Sequence, residues 1–89
     1  MARVQMETLE NFELTAEGGT CDALYDLGLI YSTGRGVDVD LVTAHKWFNL
    51  AAVRGSEAAR QLRTELALEM DPSEVAEAQR QAREWLAAH

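Results

Sequence analysis

The chain has a single cysteine, and that scarcity is the first constraint on it. Alone, Cys21 cannot close an intramolecular disulfide, so the fold rests on its core, and the composition suits a reducing compartment. Basic residues are also few. Eight Lys and Arg stand against fifteen Asp and Glu, for a net charge of -7 and a pI near 4.6. That balance disfavours nucleic acid and anionic membrane as partners. No apolar run approaches the roughly 20 residues that a membrane-crossing helix needs. The opening MARVQMETLENFEL is acidic and lacks the apolar centre of a signal peptide. These absences make the cytoplasm the expected location.

Motifs that carry chemistry are missing as well. His45 and His89 are isolated from each other and from Cys21, and no C-x-x-C or H-x-x-x-H spacing exists to hold zinc. Gly34-Arg35-Gly36 ends a helical stretch, whereas phosphate loops open one. Asp38 and Asp40 alternate as calcium ligands do, but the remainder of a calcium loop is absent. There is no serine elbow and no paired-carboxylate constellation. His45 is expected as a partly exposed helix residue, and Cys21 as a small half-buried one. No catalytic, cofactor or metal-binding residue is expected.

What the chain does contain is helical periodicity. At 89 residues it forms one domain, of a size that buries roughly 60–65% of its unfolded surface. Its centre runs from Ala23 to Gly55. Ala23, Leu27 and Tyr31 recur every fourth residue and so share a helix face. Gly34 and Gly36 end that helix, and Asp40 is placed to cap the next. The second helix turns Leu41, Ala44, Trp47, Phe48 and Ala51 toward its partner and stops before Gly55.

These residues, with Gly28, Val37, Ala52 and the rest at fixed spacing, resemble the Sel-1-like repeat, a relative of the tetratricopeptide repeat. The match covers about 20–55, a little over a third of the chain. The resemblance implies an all-α, right-handed, tetratricopeptide-like α-α solenoid. It also implies a role in protein–protein contact with no catalytic residues.

The flanks extend the pattern. Shifting the chain by 36 places Phe12 on Phe48, Leu14 on Leu50, Gly19 on Gly55, Thr20 on Ser56 and Ala23 on Ala59. A segment at about 4–17 therefore reads as a degenerate repeat helix. Ser56 starts a further helix through Met70, whose stripe is Ala58, Ala59, Leu62, Leu66 and Met70. Here the repeat fails, because Arg63 falls where the match to Leu27 should be. Asp71-Pro72 then opens a last helix with Val75, Ala78, Ala82 and Leu86 aligned and Trp85 beside them. About five antiparallel helices are expected, with the pair at about 56–88 closing the stack.

On the first repeat helix, Asp22, Tyr25, Leu29 and Ser32 lie opposite the core stripe at 100° per residue. In tetratricopeptide-like hairpins the corresponding positions line the groove, which makes these four the candidate partner-binding residues. The alternative is that the helix at 4–17 covers Tyr25 and Leu29. Residues 1–40 carry a net charge of -6 and residues 41–89 only -1, so the N-terminal half favours a basic protein partner. The leading reading is a small interaction module or adaptor. A self-associating protein that forms a homo-oligomer and an accessory or regulatory enzyme subunit are the alternatives.

Overall fold

The computed structural model describes residues 20–89, which form four helices: α1 (Cys21–Thr33), α2 (Leu41–Val53), α3 (Glu57–Ala67) and α4 (Pro72–Ala88). The helix expected at 4–17 lies outside the described residues. Each boundary has a local cause. Gly34 takes a left-handed φ of 74° and donates its N–H to Ile30 O at 2.9 Å, closing the end of α1. The link then folds back, and the Asp40 N–H bonds Tyr31 O at 3.0 Å. Asp40 caps α2 as its position predicts: its carboxylate accepts from the Thr43 N–H at 3.1 Å and the Thr43 hydroxyl at 2.7 Å.

Ser56 caps α3 by accepting from the Ala59 N–H at 3.1 Å. Thr20, its counterpart in the repeat, stands at the N-cap of α1 but makes no such bond. The third helix ends at Ala67, three residues before the Met70 the sequence suggests. Its chain tightens instead, with Leu68, Glu69 and Met70 donating to Glu65, Leu66 and Ala67. Pro72 bars the helix from running on into the next, because a proline drives the residue before it out of helical geometry. The N–H of that residue, Asp71, is taken by the Glu74 carboxylate at 2.8 Å, which starts α4 cleanly.

Helix α2 is the hub. It packs along α1, α3 and α4, whereas contact between α3 and α4 is slight. Leu24, Leu27, Phe48, Leu50, Ala44 and Ala51 are all but sealed from solvent. Gly28 marks a close approach of α1 and α2: a Cβ there would stand 2.4 Å from the Phe48 ring. Trp47, 8% exposed, reaches the other way, with its ring edge-on to Trp85 of α4 at 6.1 Å between centroids. Ala78 and Ala82 bring α4 close to that core. Two stripe residues fall outside it. Ala58 is exposed, and Leu86 is 38% exposed, because Trp85 takes the place expected for it on the buried face.

Candidate functional site

The four candidate residues of α1 do not share one environment. Asp22 is exposed, and Tyr25, Leu29 and Ser32 are half-buried. The Tyr25 ring tilts against Phe48 at 5.9 Å, and Leu29 also packs on the core. The Ser32 hydroxyl donates to Leu29 O at 3.2 Å, and that of Thr33 to the same carbonyl at 2.7 Å. Both hydroxyls are thereby turned onto their own helix. Tyr25 and Leu29 are rooted in the core, with part of each left at the surface. The segment at 4–17, the alternative cover for them, lies outside the described residues.

A second region escaped the sequence reading. Because α3 and α4 both lie on α2 but scarcely on each other, they splay, and an open cleft of about 460 Å³ is left between them. Its floor is His45 and Asn49 of α2, with Arg63 and Leu68 on one wall and Val75 and Gln79 on the other. His45 is not the partly exposed residue expected: it is 2% exposed. The reason is the hub position of α2. A helix with neighbours on three sides buries more than one stripe, and the residue next to Ala44 goes inside with it. Burial, together with the nearby Arg63 charge, lowers the His45 pKa below its ordinary 6.5. The imidazole is therefore neutral near pH 7, and its Nδ1 has no hydrogen-bond partner among the described residues, nor has the Trp47 Nε1.

Arg63 is half-buried and donates from Nη1 to Asn49 Oδ1 at 2.6 Å. No carboxylate pairs with it among the described residues. The signal that could have flagged it was in the sequence, since Arg63 and Thr64 occupy the positions that Leu27 and Gly28 hold in the repeat, 36 residues earlier. The mismatch singles out Arg63 but says nothing of a cleft, which only the arrangement of the helices reveals. Elsewhere, Cys21 is half-buried as expected, its thiol 3.9 Å from Ala51 O. No described helix is long and apolar enough to cross a membrane.

The family model of the Sel1 repeat matches residues 21–56, the α1–α2 hairpin through the cap of α3. The alginate biosynthesis protein AlgK of Azotobacter vinelandii is 31% identical to this chain over 68 residues. The aligned segment covers 76% of this chain and 15% of that protein, so the chain spans a small part of its relative's length. Sel1 repeats generally mediate protein–protein interaction. A helical hairpin closed at Gly28, capped at Asp40 and matched from Cys21 to Ser56 marks that part of the chain as a Sel1 repeat.

Proposed function

We propose that the chain is a small, non-catalytic adaptor that binds a protein partner through the outward side of α1. The observation that carries this reading is the Tyr25–Leu29 pair, two large side chains one turn apart, held by the core yet only half-covered. Tyrosine is a favoured interface anchor, and its loss from a hot spot costs about 2 kcal/mol or more of binding. Asp22 beside it, and the net charge of -6 on residues 1–40, favour a basic partner and a salt-sensitive association rate. The single cysteine fits a reducing, cytoplasmic setting. The name of the Azotobacter relative supports a part in a biosynthetic process.

The test is Tyr25→Ala combined with Leu29→Ser, measured against a partner identified by crosslinking. Expected are an unchanged circular-dichroism spectrum and a loss of affinity of about thirtyfold or more, as a hot-spot loss implies. Parental affinity in a folded double variant would place the binding surface elsewhere. Unfolding would assign both residues to the core. Light scattering over a range of concentrations separates this reading from self-association.

A further inference from the structure

We propose that the cleft between α3 and α4 is a second binding site, one that takes the carboxylate of an acidic side chain on a partner protein, anchored by Arg63. The charge pattern carries the argument. This chain has fifteen acids to eight bases, yet Arg63, half-buried at the cleft wall, is paired with none of them among the described residues. Its contact with Asn49 holds the guanidinium in place and leaves its other N–H groups for a ligand. The same contact fixes Asn49. A guanidinium only donates, so the amide must present its oxygen to Arg63 and its NH2 elsewhere. Gln79 lines the same space from α4 and brings an amide to its wall. Donors thus converge, and no Asp or Glu is among the lining residues. Arginine with flanking amides recognises a carboxylate through charge-assisted, forked hydrogen bonds.

The walls favour a carboxylate on a carbon chain over an inorganic anion. Leu68 is 84% exposed beside Arg63, and Val75 is half-buried opposite. A solitary leucine this bare, next to an unpaired guanidinium, suits an acidic residue followed by an apolar one. The two groups are satisfied together by one short peptide segment. This site is separate from the α1 surface and stands or falls without it.

The experiment uses the full chain labelled with nitrogen-15 and three probes: acetyl-Leu-Glu-Leu-amide, its glutamine counterpart, and 4-methylpentanoate. The glutamate peptide should shift the Arg63 Nε–H and the Asn49 and Gln79 side-chain amides, saturably and in the millimolar range. The glutamine peptide should not, and 4-methylpentanoate should bind more weakly than the glutamate peptide. Arg63→Gln should weaken the glutamate peptide about tenfold or more, the loss expected for a charge-assisted contact. The comparison of the two peptides on the parent protein needs no variant, so a misfolded Arg63→Gln leaves the test intact. Equal shifts from both peptides, no saturable shift, or the same shifts at Arg54, Arg60 and Arg83 would overturn the carboxylate site. Equal affinity for 4-methylpentanoate would overturn the partner-protein source in favour of a free carboxylate.

Discussion

The two halves of the described chain are each a pair of helices, and they end up differently packed. In the α1–α2 hairpin, Leu27 is fully buried and Gly28 lets the Phe48 ring lie against the backbone. At the matching positions of the α3–α4 pair stand Arg63 and Thr64, and those helices meet α2 rather than each other. A repeat hairpin is closed by two things: an apolar residue at the seam and the absence of a side chain next to it. Replace both with polar residues and the helices remain, held by the neighbour they share, while the seam becomes a cleft.

The largest test of this contrast is Trp47→Ala. Trp47 lies on the hub helix and reaches Trp85, so its loss should damage both halves and cost about 3–5 kcal/mol in denaturant unfolding. A cost well below that would mean that α4 is held independently of the hub.

Next is the matched pair Gly28→Ala and Thr64→Ala. The first forces a Cβ into the Phe48 ring, an overpacking cost of about 1–3 kcal/mol that outweighs a helix-propensity gain of about 1 kcal/mol. Its Tm should fall. Thr64 is exposed, and Thr64→Ala should leave the Tm level or slightly raised. Equal effects at the two positions would erase the difference between seam and cleft.

A smaller effect follows from His45. Its folded pKa is lowered, so the unfolded chain takes up the proton first as pH falls below 6.5. The stability this group contributes is complete above that value and is lost as pH drops toward the folded pKa. Between about pH 7.5 and 5.5 the parent should lose stability more steeply than His45→Gln. Parallel pH profiles would place the imidazole in water.

The smallest effect belongs to the surface of α4. Arg80 bonds Glu77, with Nε to Oε1 at 2.8 Å, and also pairs with Glu84. The Glu77 carboxyl is held down to about 2, first by its hydrogen bonds to Arg80 and then by that to Gln81. All of this is on an exposed helix face, so Arg80→Ala should leave the Tm unchanged at physiological salt.

Much of the fold was legible because it is written in local chemistry. Gly34, Asp40, Ser56 and Pro72 each mark a helix boundary by their own backbone or side chain, with no help from the rest of the molecule. The buried faces of α1 and α2 were legible too, except where one helix has three neighbours. A periodic pattern assumes a single buried stripe, so it left His45 partly exposed and aligned Leu86 rather than Trp85 with the buried face of α4. The ring that meets Trp47 edge-on comes from 38 residues downstream, beyond the reach of a local pattern. As for the sites, the α1 face could be named from spacing alone. The cleft could not, because it exists only through the splay of two helices.

The central placement of α2 has a kinetic consequence. Its amides are screened on three sides, so they exchange with solvent only when the whole assembly opens. The distal turns of α4 past Trp85, where Leu86, Ala87 and Ala88 are exposed, open by fraying alone. The four described helices should therefore melt as one cooperative unit, with the slowest-exchanging protons reporting the stability of every helix that touches the hub.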